Sequence, residues 1–487
     1  MVFSSLEFLY LFLPLCALCY GLAKTISARN TVLIVFSLIF YAWGEPIYLF
    51  LMLATIMVDY GFGLLLGKYR GTVIGKLVMV LAMVVNLGSI GVFKYAGFFV
   101  NTLNGLAGTQ IPSPEIALPI GISFYTFQAI SYLVDVYRGD VPAQRYPHKL
   151  LLYISMFPQL FAGPIVRYDH IMNEIDKRSA TPVEISMGID RFIVGLAKKV
   201  IFANAMGQLA SMYLDKQNLS DVPVLAAWVA LTAYALQIYF DFSAYSDMAI
   251  GMGRMMGFHF HENFNYPYMS ASITEFWRRW HMSLGSFFRD YVYIPLGGNR
   301  CSKARHIFNM FVVWFLTGLW HGASWNFVLW GLYFFVFLVL EKYCFGKFLE
   351  RHKIFAHVYF LIVVVFGWSL FYYTDMGRLG QLILCLFGLN NNGFSNVLVE
   401  GTLRGNVFIL LIAFVAATPI LQVFKKLYIR VCNIGRKEQE DGTVVYTTHV
   451  PATVSYIIKG IILAGLLLVC TAMLSGQSYN PFIYFRF

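Results

Sequence analysis

Residues 274–331 read TEFWRRWHMSLGSFFRDYVYIPLGGNRCSKARHIFNMFVVWFLTGLWHGASWNFVLWG, and this stretch decides the fold. A basic, aromatic collar containing Trp277, Arg278, Arg279, Trp280, His281, Arg289 and Arg300 leads into an apolar helix. That helix ends at Trp320-His321-Gly322, and a second apolar helix starts near Trp325. Arg300, Lys303 and Arg305 precede the first arm; Glu341, Lys342, Lys347 and Arg351 follow the second. Basic residues flanking membrane helices favour the cytoplasmic side, so both ends of the hairpin are expected there. From His306 to Trp320 a helix rising about 1.5 Å per residue climbs on the order of 22 Å, less than the roughly 30 Å of a hydrocarbon core. His321 is therefore expected inside the membrane profile, with Gly322, Ala323 and Ser324 making the turn. A lone histidine can simply cap such a hairpin by hydrogen bonding. The surrounding tryptophans, glycines and basic collar weigh towards chemistry, because titratable groups kept in lipid usually serve a function.

The rest of the chain fits a membrane setting. Its 487 residues are 59% hydrophobic and only 13% charged. The apolar runs exceed the roughly ten alternating residues of a barrel strand. The expected class is all-α: a polytopic transmembrane helical bundle with re-entrant and hairpin helices, read as a single membrane-embedded domain over residues 1–487. The formal net charge of +11 is read as positive-inside anchoring, and the arginine-aromatic interleaving as an interfacial belt, not a nucleic-acid site. Cys16 and Cys19 have C-x-x-C spacing but no second pair, so they read as packing residues. The N-terminus has no cleavable-signal pattern, and the first span, about Leu6 to Ala23, is read as retained.

Basic loops at Lys24–Arg29 and Lys68–Lys76 put the N-terminus outside, with Met1–Ser5 as an external stub. Residues Phe93–Ala117 are expected as an external loop or interfacial segment, after which Pro119 opens a helix. Gln128, Ser131, Tyr132 and Asp135 share one face of that helix, facing a cavity or a partner helix. Pro158, Gly163 and Pro164 break the next helix and suggest a re-entrant or unwound segment. Arg191, Lys198 and Lys199 are expected to flank an apolar helix. The long apolar run Val222–Met252 carries Gln237, Asp241 and Asp247, whose carboxylates need partners. Arg254, Arg278, Arg279 and His281 all qualify. His259 and His261 form a His-x-His pair, too few ligands for a metal site, and none is expected. Lys425–His449 reads as a cytoplasmic loop within residues 425–453, and the final span puts the C-terminus outside. Ten or twelve crossings are expected. No internal repeat is visible, which counts against an inverted-repeat transporter using Asp241 and Asp247 as coupling sites.

Several stretches resemble the membrane-bound O-acyltransferase superfamily, in its alginate O-acetyltransferase-like branch. They are Leu118-Pro119-Ile120-Gly121-Ile122-Ser123-Phe124-Tyr125, Phe157-Pro158-Gln159, Gln237-Ile238-Tyr239-Phe240-Asp241-Phe242-Ser243, Trp277-Arg278-Arg279-Trp280-His281 and Gly318-Leu319-Trp320-His321-Gly322. The match is good over residues 1–331 and loose beyond. Ala244, Gly285 and Phe287 depart from the branch's usual residues.

The resemblance implies acyl transfer, most simply of acetyl from cytoplasmic acetyl-CoA, with no bound cofactor. It implies His321 as the essential histidine and His281 as a second. Asp241, Asp247, Gln128 and Gln237, polar groups on apolar helices, are expected as a supporting polar core. A thioester is already activated, so a base, a positioned acceptor and charge stabilisation suffice. A covalent acyl-histidine is a second route. Arg278, Arg279, Arg289 and Arg300 are expected to hold the coenzyme A phosphates. The acceptor implied is a polysaccharide outside the cytoplasmic membrane of a bacterium, reached through a periplasmic or extracellular partner of the serine-hydrolase-like acetyltransferase type. D-alanyl transfer to teichoic acid from a carrier protein is the alternative within the superfamily.

Overall fold

The computed structural model describes the chain except residues 162, 421, 424–425, 428–435, 439–443, 447–451, 477–479, 481 and 483–487. The expected cytoplasmic segment 425–453 lies largely outside the described residues, apart from a short antiparallel ladder of Arg436–Glu438 with Val444–Tyr446. Among the described residues nine helices are long and apolar enough to span a membrane: Ile26–Gly44, Tyr48–Lys68, Val73–Ala107, Pro182–Leu214, Val224–Met255, Trp325–Arg351, Lys353–Tyr372, Val397–Ala416 and Ile457–Gly476. Phe8–Leu22 and Met376–Leu386 are shorter apolar helices. The arm Lys303–His321 carries Lys303, Arg305 and His306 in its first turn and is not among the nine.

Two of these helices form the inner scaffold. Val224–Met255 and Pro182–Leu214 are 72% and 67% buried over their apolar windows, against 6–44% for the other seven. They approach closely because small residues face each other. A Cβ on Gly188 would lie 2.6 Å from the Gly251 carbonyl, and one on Gly195 2.9 Å from the Ala244 carbonyl.

Ion pairs lock the same interface. Lys199 meets Asp241 at 2.7 Å, with side chains 4% and 2% exposed. Lys198 meets Asp247 at 2.6 Å, and Arg191 meets Asp247 at 2.8 Å and also pairs with Glu262. The partners of the two carboxylates thus differ from those considered from sequence. Arg191, Lys198 and Lys199 do not flank a span. They lie inside one continuous helix, with Lys198 and Lys199 opening a π-turn, Lys198–Ala203, and both lysines paired with carboxylates of the neighbouring helix. Removing one partner of a buried pair leaves an uncompensated charge and costs about 3–5 kcal/mol. Lys199→Met is therefore expected to lower the melting temperature in detergent markedly, and Lys199→Met with Asp241→Leu to recover much of the loss. Unchanged melting of the single variant would show that the pair contributes nothing.

Two terminal expectations are corrected. Residues Phe93–Ala107 are not a loop: they continue the 35-residue helix Val73–Ala107. Its polar end is closed by Asn104, whose side chain donates to the Ile111 carbonyl at 2.8 Å and accepts from the Ile111 amide at 3.0 Å. At about 1.5 Å per residue this helix is roughly 52 Å long, more than a hydrocarbon core requires. Met1–Ser5 is not a free stub either. Phe3 is 1% exposed and stacks on Tyr245 at 4.3 Å, because an aromatic ring gains more by burial than by facing water.

Candidate active site

The histidine hairpin consists of Lys303–His321 and Trp325–Leu340. Its arms touch where glycines leave room. A Cβ on Gly318 would lie 2.4 Å from the Phe327 carbonyl, and one on Gly331 2.4 Å from the Trp314 carbonyl. At the turn, a Cβ on Gly322 would fall 2.2 Å from the Phe327 ring. The sequence WHGASW therefore makes a turn tight enough to end the helix on His321.

A cavity of about 640 Å³ runs along one face of the first arm. His306, Met310, Val313, Trp314, Thr317 and His321 line it from that arm, the spacing of a single helix face. Trp277, Trp280, Leu284 and Phe288 supply apolar wall, and Arg278, Arg289 and Lys342 supply charge. His306 and Lys342 lie at the end of the hairpin remote from His321. All three cations are exposed. His306 is held there between two tyrosines, its Nε2 bonded to Tyr293 Oη at 2.7 Å and its Nδ1 to Tyr343 Oη at 2.5 Å.

His321 is 5% exposed. Its Nδ1 bonds the Thr317 carbonyl at 2.8 Å. A carbonyl only accepts, so the ring proton sits on Nδ1 and the lone pair on Nε2. Trp320, Trp330 and Phe371 pack around the ring at centroid distances of 4.9, 4.8 and 5.4 Å. The last carbonyls of a helix lack intrahelical partners. Here a neighbouring helix satisfies them: Lys94 Nζ donates to Trp320 O at 2.5 Å, and Tyr95 Oη donates to Leu319 O at 2.5 Å. Both come from a π-turn, Gly91–Tyr95, within Val73–Ala107. A lysine at a helix C-terminus is also favourable for the helix dipole. One turn further, Phe98 packs on Trp325 at 5.5 Å. Sequence reading missed Lys94 and Tyr95; a lysine inside an otherwise apolar span was the available signal.

His281 lines the same cavity and is 2% exposed. It joins the short helices Ile273–Arg279 and Met282–Phe288 in a left-handed conformation, φ +46°. A non-glycine residue held there marks local strain, which clusters at functional sites. The strain is imposed by the segment alongside: the Asn265 amide bonds Arg279 O at 2.9 Å and the Met282 amide bonds Asn263 O at 3.0 Å. His281 Nδ1 meets Asn263 Oδ1 at 3.2 Å.

The other residues singled out from sequence divide. Arg278 and Arg289 line the cavity. Arg279 and Arg300 do not; Arg279 is tied to Glu275 at 2.8 Å and to the Asn265 carbonyl. Asp241 and Asp247 bind the lysines described above and lie outside the cavity lining, as do Gln237 and Gln128. The acidic helix reaches the site instead through Ser246, which accepts from Asn263 Nδ2 at 3.1 Å. His259 pairs with Glu174 and Glu184, and His261 packs on the His170 ring at 4.0 Å. Among the described residues no three His, Cys, Asp or Glu side chains form a metal-holding group.

Comparison with known proteins gives the family. Residues 143–379 match the family model for the membrane-bound O-acyltransferase family. The whole chain is 36% identical to the full length of a probable alginate O-acetylase AlgI from Azotobacter vinelandii. The chain belongs to the membrane-bound O-acyltransferase family. This acyltransferase is also 33% identical, over 68% of each chain, to a peptidoglycan O-acetyltransferase of Helicobacter pylori. It is 30% identical to a teichoic acid D-alanyltransferase of Bacillus subtilis over 48% of its own length and 61% of that protein's. The acyltransferase is a multi-pass protein of the bacterial inner membrane.

Proposed function

We propose that this acyltransferase moves an acetyl group from cytoplasmic acetyl-CoA across the membrane for O-acetylation of an extracellular or periplasmic polysaccharide. One observation supports the donor above others: the length of the cavity along the first arm, from His306 and Lys342 to His321. His306 and His321 lie fifteen positions apart on one arm, about 22 Å by helical rise. A donor held there needs a charged head, a long narrow arm and a reactive group at its tip, which describes coenzyme A carrying a thioester. Arg278, Arg289 and Lys342 line the cavity, and we assign them to the coenzyme A phosphates because guanidinium and ammonium groups make strong charge-assisted bonds to phosphate.

The chemistry then follows from His321. As the acceptor oxygen attacks the thioester carbonyl, its proton passes to His321 Nε2. When the tetrahedral intermediate collapses, the C–S bond breaks and the proton goes to the leaving thiolate. The histidines lie under aromatic walls, where a long polymer cannot thread easily. The acetyl group is therefore handed to a separate partner of the serine-hydrolase-like acetyltransferase type, which modifies the polymer. Full-length similarity to the alginate O-acetylase favours acetyl over D-alanyl, since the match to the D-alanyltransferase covers half the chain.

Transfer of label from acetyl-CoA by the purified protein tests the donor, and polymer acetylation with and without an added serine enzyme tests the relay. Stoichiometric polymer acetylation by the protein alone would sink the relay. Arg278→Ala and Arg289→Ala are each expected to raise the KM for acetyl-CoA about tenfold with little change in kcat, since an exposed charge-assisted contact contributes on the order of 1.4 kcal/mol. An unchanged KM in both would remove these arginines from donor binding.

A further inference from the structure

Asn263 is fully buried, and three donors converge on its Oδ1: His281 Nδ1 at 3.2 Å, the Ser283 amide at 3.1 Å and Ser283 Oγ at 2.9 Å. A backbone amide only donates, so the Ser283 contact independently fixes which end of the Asn263 side chain is oxygen. The nitrogen end donates to Ser246 Oγ on the acidic helix. The Ser283 hydroxyl in turn accepts from the Ile165 amide at 3.0 Å, so the oxygen it shares with His281 cannot swing away freely. Ser283 Oγ also lies 3.5 Å from His281 Nδ1, but its one hydrogen goes to Asn263 Oδ1 at 2.9 Å; an amide oxygen only accepts, so the single proton of a neutral His281 ring sits on Nδ1. Its Nε2 is buried and, among the described residues, meets no hydrogen-bond partner, in a residue that lines the cavity. Buried acceptors are satisfied in most proteins, and one left open at a cavity wall can take a hydrogen from a molecule that enters the cavity.

We propose that Asn263 is a positioning residue that locks His281 in the Nδ1–H form, so that His281 Nε2 receives an O–H or N–H hydrogen from the bound substrate. What that substrate is rests on the acyl-transfer reading above; the tautomer does not. In this form His281 cannot donate to the oxyanion of the tetrahedral intermediate. It can hold the acceptor hydroxyl or an amide N–H of the donor arm while His321 moves the proton.

The test is ¹⁵N spectroscopy of the purified, histidine-labelled protein in detergent, with His281→Gln to assign the resonances. Wild type is expected to show a protonated Nδ1 and an unprotonated Nε2 at His281. Asn263→Asp, which keeps an acceptor oxygen, should retain this pattern and recover most of the rate. Asn263→Ala should lose the pattern and lower kcat by about 10–100-fold, by analogy with the loss seen when the partner that orients a metal-bound histidine is removed. Ser246→Ala, which removes only the brace on Asn263, is a milder variant in case Asn263→Ala fails to fold, and should lower kcat less. A protonated Nε2 at His281 in wild type would overturn the proposal. So would wild-type kcat in Asn263→Ala, or equal losses in the alanine and aspartate variants with an unchanged tautomer. A correct tautomer in a protein that transfers no acyl group would refute the acyl-transfer reading and leave the role of Asn263 standing.

Discussion

His321→Ala is expected to lower acyl transfer by about 10²–10⁴-fold, the usual loss when one general base is removed. The variant should still insert and purify, because the backbone around it is held independently. Lys94 and Tyr95 bind the carbonyls of Trp320 and Leu319, which the substitution leaves in place. The imidazole is caged by Trp320, Trp330 and Phe371, so alanine opens a void at the end of the cavity without forcing a clash. The useful comparison is between initial rates and donor binding. Binding of acetyl-CoA should persist, since Arg278, Arg289 and Lys342 are untouched, while the rate collapses. Transfer at near wild-type rate would remove His321 from the reaction.

Gly318→Val should be as damaging for a different reason. A Cβ at Gly318 would sit 2.4 Å from the Phe327 carbonyl, 3.2 Å from its carbon and 3.3 Å from the Val328 Cα. All three are backbone atoms, and none can rotate away. Overpacking of this kind costs about 1–3 kcal/mol and more where the backbone itself must move. The arms must separate one turn from His321, so stability and activity should fall together. Gly401 has open space around it, and Gly401→Ala should leave both unchanged. The measurement is melting temperature and yield in detergent beside the transfer rate. A Gly318→Val protein that melts and turns over like wild type would mean that the arms are not in contact.

Apolar run length made the spans legible, because only helices and closed barrels satisfy the backbone in lipid and these runs are too long for barrel strands. The hairpin was legible from its basic flanks and small-residue turn. His321 and His281 were singled out by local pattern and resemblance, and they do meet at one cavity. What could not be read depends on distant pairing. Asn263 joins His281 across eighteen positions through irregular backbone with no periodicity. Lys94 meets the Trp320 carbonyl across 226 positions. Lys198 and Lys199 look like flanking charges until their helix is seen to continue to Leu214. Residues 93–107 carry enough asparagine and glycine to suggest a loop, yet the helix runs on past the length a membrane needs.

The pairing of Lys199 with Asp241 and Lys198 with Asp247 bears on how the chain is made. Each of these residues opposes membrane insertion of its own helix by about 2.5–3.5 kcal/mol when it enters lipid alone. Pro182–Leu214 and Val224–Met255 follow one another, separated only by residues 215–223. The lysines precede the aspartates in the chain, so their helix is expected to enter lipid fully only once the second helix has been made. The two helices are thus expected to be released laterally as one unit, with charge neutralisation as the condition for release.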